Sequence, residues 1–382
     1  MERYEAIIIG GGIAGISLGY ELARERTVGL LEMETTLAFH TTGRSAATFL
    51  ETYGGAQIRA LTTGSRAFFE NPPDCFDGTP LSPLGLVWIG AAGDSGRVHE
   101  LYDEFSVLVP DVRILDADEA VEVNPIIKRE YVESALYEPD AMEMDVHALH
   151  QGFLRGYKER GGVVHTAARI VDAVRTERDN GDTLWTLTDS GGNKYQTPLV
   201  INAAGSWVDV VAATVGARSI GIKPLRRSIF MVPSPLGSRS AGMPMAADIH
   251  DSFYVKPDGE QYLCSPADEV LQSPSDPKPD ELEIARAMEA IDIATHVAPR
   301  HVRSSWAGLR NFAPDRVPVV GFDPVAPGVF WFAGQGGYGI QTCAAMARTA
   351  ASLVRGEGIP ADLIARGLTE EALSPATTSR FR

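Results

Sequence analysis

Glycines at positions 10, 12 and 15, an acid at 32 and an arginine at 310 are the residues of this 382-residue chain best suited by type and spacing to chemistry. The run Gly10-Gly11-Gly12-Ile13-Ala14-Gly15 has the G-x-G-x-x-G form. Gly10 permits a tight turn, Gly12 lets the backbone approach a pyrophosphate, and Gly15 lets a helix pack closely on its strand. Free N–H groups and the dipole at the helix start hold negative phosphates. Glu32, about 20 residues on, is placed to accept hydrogen bonds from an adenosine ribose. These residues predict a dinucleotide site and do not by themselves choose FAD over NAD.

Arg310 stands in Trp306-Ala307-Gly308-Leu309-Arg310-Asn311-Phe312, bracketed by apolar residues. An unpaired buried guanidinium is costly, so it has an acidic partner or an anionic ligand, and both stay open here. The stretch Phe39 to Ala47 is small and polar with one cation, Arg44. Its Thr and Ser residues are natural helix caps; equally, Arg44 and Ser45 are placed to donate to a phosphate or a flavin. Arg227, Tyr254 and Tyr53 are weaker candidates, each structural when taken alone. Two formal motifs carry no chemistry. Gly15-Ile16-Ser17-Leu18-Gly19 matches a nucleophile elbow, but Ser17 falls inside the helix rather than at the strand-to-helix turn. His147 and His150 lack a third ligand and read as packing or surface residues.

The elements that position these residues follow from pattern. Ala6 to Ile9 and Val28 to Leu31 are apolar runs that read as strands flanking a helix that reaches about Arg26. Residues 71–83 are rich in proline and turn formers and predict a loop. A helix over 57–70, strands over 84–89 and 131–137, and mixed patterns over 97–121 surround it. Asp145 caps a helix to Arg160, leading into a strand at 163–165. Strands at 170–175 and 184–187 flank a turn at 179–182. The run 198–205 is a buried strand ending in small residues. Residues 218–265 alternate as strands, and a helix follows from 281 to 297. A second strand–glycine–helix unit spans 329–355, with Gly334 to Gly339 again aiming N–H groups at something negative or electron-rich. Residues beyond about 374 read as a frayed tail.

Composition bounds the rest. The chain is long enough for two domains or one elaborated one. A net charge of −16 argues against nucleic acid and against a basic membrane-binding face. Cys75, Cys264 and Cys343 are far apart, which argues against a disulfide framework or a metal site. Residues 6–23 approach the length of a membrane span, but their glycines and Glu21 fit the nucleotide motif better. With the strand starting almost at the N-terminus, a cytoplasmic protein with no transmembrane segment is expected.

Taken together, GGGIAG with Glu32, HTTGRSAA, INAAGSW, WAGLR and GQGGYGIQT, in this order, resemble the D-amino acid oxidase-like (glycine oxidase/DadA) family of FAD-dependent oxidoreductases. The likeness extends to the bacterial D-arginine dehydrogenase type. The resemblance implies an α/β fold, a Rossmann-like FAD-binding domain (1–48, 146–216 and 306–382) with an inserted mixed-sheet substrate domain (49–145 and 217–305). It implies that Gly10, Gly12, Ile13, Ala14, Gly15, Glu32 and Met33 hold the ADP half of a non-covalent FAD. Thr42, Gly43, Arg44, Ser45, Ala46 and Ala47 would run along pyrophosphate and flavin. Ile170 would meet the adenine, and Ala203, Ala204, Gly205 and Trp207 the ribityl side. Gly308 and Arg310, with Gly336, Gly337, Tyr338, Gly339, Ile340, Gln341 and Thr342, would wrap the isoalloxazine. Arg310 resembles the family's carboxylate-clamping arginine, with Arg227, Tyr53 and Tyr254 beside it. Thr48, Leu86, Gly308 and Gly337 would complete the substrate pocket.

The implied reaction is oxidation of a D-amino acid to a 2-oxo acid and ammonia, by hydride transfer from Cα to flavin N5, with O2 or a quinone reoxidising the flavin. Leu86 stands where the D-arginine type carries an acid, so neutral or apolar side chains are expected. Thr48 replaces a histidine. Asn311 and Phe312 follow Arg310 where sarcosine oxidase-like relatives carry a flavin-linking cysteine. Oxidation of glycine, an N-methyl amino acid or a 2-hydroxy acid is the alternative; a non-catalytic flavin-binding protein is the alternative of another class.

Overall fold

The computed structural model describes residues 1–177 and 183–377. Four runs that are apolar but for Asn202 at the end of the third, Ala6–Ile9, Val28–Leu31, Val200–Asn202 and Val329–Ala333, are wholly buried strands. With Val163–His165 and Val319–Phe322 they form a six-stranded sheet, parallel except for the last strand, at one edge. Continuous apolar strands are what a parallel sheet covered on both faces requires. Ile8, Leu30, Ile201 and Phe330 point to the helix side. Ile7, Leu31, Val200 and Val329 point to the other, which is covered by a four-stranded sheet in which Ile170–Glu177, Thr183–Asp189 and Lys194–Thr197 are antiparallel and Glu2–Arg3 adds a parallel edge. The turn expected between the first two of these strands lies outside the described residues.

The second unit is a ten-stranded mixed sheet. In its strand Lys223–Pro233, Phe230 and Val232 face the core under the helix Glu281–Ala294, whereas Ile229 and Met231 belong to the opposite face. The period-2 alternation of a strand therefore carries Arg227 to that opposite face as well. Antiparallel pairing with Ser304–Phe312 sets Arg227 opposite Gly308 and Leu225 opposite Arg310. Both arginines thus emerge on one face.

Several expectations shift. The first helix ends at Leu22 and loosens into turns. Within the expected loop 71–83, Leu81–Pro83 pairs with Met142–Met144; Pro83 is tolerated because the strand is an edge. The strand expected at 84–89 runs over Leu86–Ala91, and the helix from Glu281 stops at Ala294. Inside the second glycine run, Gln335–Gly336 adds a short strand to the ten-stranded sheet. Of the tail expected beyond about 374, Pro375 is buried and Thr377 donates to the Glu371 carbonyl, and residues 378–382 lie outside the described residues. Two segments also sit differently from the expected division. Ser304–Phe312 is a strand of the large sheet across the boundary at 305/306, and the helix Ala56–Glu70 places Ala60, Leu61 and Phe69 in the core of the first unit.

Candidate functional site

Between the two units runs one cavity of about 460 Å³, reaching from Glu32 and Ile170 past Gly12 and Thr42 to Arg227, Tyr254 and Arg310. Its first end is built by the glycine turn. Gly10 has φ +110°, and a Cβ there would strike the Ala203 carbonyl. A Cβ on Gly15 would overlap the carbonyl oxygen of Gly10, so the helix lies directly on its strand. The Glu32 carboxylate accepts from Gly11 N–H at 2.7 Å and Glu34 N–H at 2.9 Å, which pins the acid beside the turn. Thr42 Oγ1 accepts from Ile13 N–H at 3.0 Å, tying the polar stretch to the helix start. His150, expected to pack, does so with a purpose. Buried at 2% exposure, it donates to the Gly11 carbonyl at 3.0 Å and braces the turn from behind. Burial lowers its pKa from the ordinary imidazole value, favouring the neutral ring.

The middle of the cavity is closed by Arg44, whose guanidinium donates to the Ala307 carbonyl at 3.1 Å, while Trp306 Nε1 donates to the Arg44 carbonyl at 3.1 Å. His40 lies against Trp207 with ring centres 4.6 Å apart and bonds Glu34 through Nε2 at 2.9 Å. Its Nδ1 is buried with no protein partner.

At the far end two guanidiniums converge. Arg227 is 4% exposed; its Nε donates to the Asp268 carbonyl at 2.9 Å, but its Nη2 is buried without a hydrogen bond. Burial and the nearby charge of Arg310 push its pKa below the usual guanidinium range. Arg310 makes a long contact, 3.4 Å, to the Tyr53 hydroxyl. Burial works against its charge, and the phenols of Tyr53 and Tyr254 and the Asp251 carboxylate more than offset it. The flat face of Gly337 lies against Arg310: a Cβ there would be 2.8 Å from Cζ. Tyr254 is buried, and burial raises its phenol. Under-bonded donors around a positive centre form a receptor for a carboxylate.

Most residues expected at the site line this cavity. Five do not. Gly15 packs the helix, Gly43 donates to the Ala38 carbonyl, and the Thr342 hydroxyl bonds the Tyr338 carbonyl inside its own helix. Tyr338 packs edge-on against Tyr53. Leu86 is fully buried in an apolar cluster with Ile229 and Tyr254, so the wall presented to the cavity there is Ile229. None of the three cysteines lines it. Glu269, whose Oε1 stands 3.6 Å from Arg227 Nη2 and 3.9 Å from Arg310 Nη1, carried no signal in the sequence: it is one acid in a polar loop, brought to the site by long-range pairing.

Glycine turns that a side chain would fill, two helix starts aimed inward and an orphaned imidazole nitrogen fit a long dinucleotide with a flat ring system at the arginine end. Residues 5–353 match the family model described as "FAD dependent oxidoreductase" (DAO). The chain is 23% identical to a glycine oxidase of Geobacillus kaustophilus over 96% of its own length and 97% of that protein's. The structure of that species' glycine oxidase superposes with a TM-score of 0.78 at 20% identity, over 97% of this chain and 99% of the other. L-amino acid deaminase of Proteus vulgaris superposes with a TM-score of 0.80 at 17% identity, over 98% and 97%. An L-α-glycerophosphate oxidase of Mycoplasma pneumoniae with FAD bound superposes with a TM-score of 0.81 at 17% identity, over 93% and 95%. The chain belongs to the DAO family of FAD-dependent oxidoreductases.

Proposed function

We propose that this flavoenzyme oxidises D-amino acids with neutral or apolar side chains to 2-oxo acids and ammonia, with FAD held non-covalently. The observation that carries the reading is the pair of converging guanidiniums of Arg227 and Arg310, one with a buried, unpaired Nη2, at the flavin end of the cavity. Arg310 and Arg227 bind the substrate carboxylate, and the Tyr53 hydroxyl adds a donor beside Arg310. The Gly308 carbonyl accepts from the amine, which orients Cα. Bound FAD would supply the acceptor for the hydride that leaves Cα with both electrons; the free imine then takes up water to give the 2-oxo acid and ammonia. No base is then needed at the Cα proton, and orientation supplies much of the catalysis. The side-chain preference is supported by Ile229 on the cavity wall, with Leu86 packed behind it. The D configuration rests on the likeness of the sequence motifs.

The test is an anaerobic screen of both enantiomers of the amino acids, with glycine, sarcosine and 2-hydroxy acids, reading the loss of flavin absorbance. D-Leucine and D-methionine are expected to bleach the flavin faster than their L forms and faster than D-arginine. Bleaching by L enantiomers, N-methyl amino acids or hydroxy acids alone would overturn the substrate; a flavin that none of them reduces would overturn the enzymatic reading.

A further inference from the structure

Residues 273–279 carry prolines at 274, 277 and 279, which stiffen a segment that is neither helix nor strand. Both its ends are tied to the strand Lys223–Pro233. Gln272 N–H donates to the Pro224 carbonyl at 2.9 Å, and Asp280 N–H donates to Ser228 Oγ at 3.2 Å. The Asp280 carboxylate also accepts from Arg226 Nη2 at 2.9 Å. Between these anchors the segment reaches across to the nucleotide unit. Asp276 Oδ1 lies 2.5 Å from Arg44 Nη1, the same nitrogen that donates to the Ala307 carbonyl. Pro277 is buried, and with Ser275 it lines a small cavity. The other walls of that small cavity include Thr41, Arg44, Ser206 and Gly308, and these four also line the large cavity. Residues 41–44 are therefore a thin wall with the cofactor cavity on one side and the 273–279 segment on the other. The strand Ser304–Phe312 holds this wall through Thr41 Oγ1, which donates to the Leu309 carbonyl at 2.8 Å, and through Trp306 Nε1 on the Arg44 carbonyl. Asp276 holds it from outside.

We propose that residues 273–279 are a strap over the cofactor cavity, latched by the Asp276–Arg44 ion pair, and that the latch slows the release of FAD. Thr42 in the same wall accepts from Ile13 N–H at the start of the first helix. A shift of 41–44 thus loosens the side of the cavity and the glycine turn together. Asp276 does not line the large cavity; it is a positioning residue that acts through Arg44. The side chains of Asp276 and Arg44 are 59% and 17% exposed, so salt can screen the pair, and its effect on the rate is modest.

The experiment uses the FAD-loaded protein and reads the rate at which free FAD appears in the filtrate after dilution. At low ionic strength Asp276→Asn is expected to release FAD about threefold faster than wild type, the range of an exposed ion pair. Asp276→Glu, which keeps the charge, is expected to stay near the wild-type rate. In about 1 M salt, where charges are screened beyond about 3 Å, the gap between Asp276→Asn and wild type should close. In an Arg44→Gln background, Asp276→Asn should add nothing further. Equal release from Asp276→Asn and wild type at low salt overturns the proposal. So does a gap that survives high salt, an Asp276→Glu protein as fast as Asp276→Asn, or the same increment in both Arg44 backgrounds. Flavin that stays with the denatured chain would overturn it as well. No readout here uses a substrate, so the result stands apart from which compound the enzyme oxidises.

Discussion

Gly337→Ala isolates the placement of Arg310 from its presence. Gly337 has no left-handed φ, so alanine meets no backbone penalty there. Its Cβ would lie 2.8 Å from both Cζ and Nε of Arg310, and 3.1 Å from Nη1. Ordinary contact begins at 3.4 Å, so the guanidinium must retreat by about 0.6 Å (3.4 less 2.8). It is the end of a flexible side chain and can rotate away, so the melting temperature should change little. Function should not be spared. A bidentate clamp tolerates displacements of about 0.5 Å, and 1 Å of misplacement can cost about a hundredfold in rate. The expected outcome is a fall of roughly 10- to 100-fold in kcat/KM, or ~1.4–2.7 kcal/mol of transition-state stabilisation. Rapid-mixing flavin reduction gives the rate, released-flavin absorbance the FAD content, and thermal unfolding the stability. Gly96→Ala, where a Cβ meets nothing within 4 Å, is the silent control. Wild-type kcat/KM in Gly337→Ala would refute Arg310 as a positioned clamp; lost FAD or a collapsed melting temperature would refute the steric reasoning.

Arg310→Ala should raise substrate KM at least about a hundredfold while flavin content stays at wild-type level, since a charged partner of a bound carboxylate is lost; an unchanged KM would remove Arg310 from the site. In Gly15→Ala the new Cβ meets the carbonyl oxygen of Gly10, backbone that cannot swing aside, so purified protein should be depleted of FAD and less stable by about 1–3 kcal/mol. Glu138, 2% exposed, accepts from Thr52 Oγ1 and Trp88 Nε1, each at 2.7 Å, and so anchors the loop that carries Tyr53. Glu138→Ala should raise KM severalfold with little change in kcat, and Glu138→Gln, which can still accept from Trp88 and donate to Thr52, should restore it. Burial raises the Glu138 carboxyl above its ordinary value, so the folded state prefers the protonated form. Its favourable effect is complete below the ordinary carboxyl value and is lost as pH rises through the raised one. Melting curves against pH should therefore diverge in favour of Glu138→Gln on the alkaline side; parallel curves would refute it.

The nucleotide half of the molecule was legible because its determinants are local. Gly10 to Glu32 fall within one strand–helix–strand unit, and the backbone that the glycines permit is what holds the motif together. The runs at 6–9, 28–31, 198–205 and 329–333 could be read as strands for the same reason. Legibility failed where partners are distant in sequence. Leu86 was expected at the substrate because the resemblance sets it where the D-arginine type carries an acid, yet pairing with Glu138 and Met245 sinks it behind Ile229. His150 had no metal partner in the sequence, and its role as a prop beneath Gly11 depends on a helix returning across 139 residues. Arg227 and Arg310 were visible singly; that they share a face follows from the register of one antiparallel pair.

That register also explains how the site can afford unsatisfied groups. A buried guanidinium with an open donor costs free energy, and the ladder between Lys223–Pro233 and Ser304–Phe312 holds Arg227, whose Nη2 has no hydrogen bond, near Arg310, which makes a long contact to the Tyr53 hydroxyl. The chain offsets this unevenly. Arg226, one residue from Arg227 and on the opposite face, is fully paired with Asp268 and Asp280 at 3.0 and 2.9 Å, and Asp268 also accepts from Ser228 N–H at 2.6 Å. Those bonds fix the strand that bears Arg227, whereas Glu269, the very next residue after Asp268, stops short of the inner donors. Adjacent acids thus do opposite things: one completes a structural pair, and the other screens charge while leaving hydrogen bonds open for a ligand. A site satisfied throughout would be more stable and would bind substrate less well, because the donors that recognise a carboxylate would already be spent.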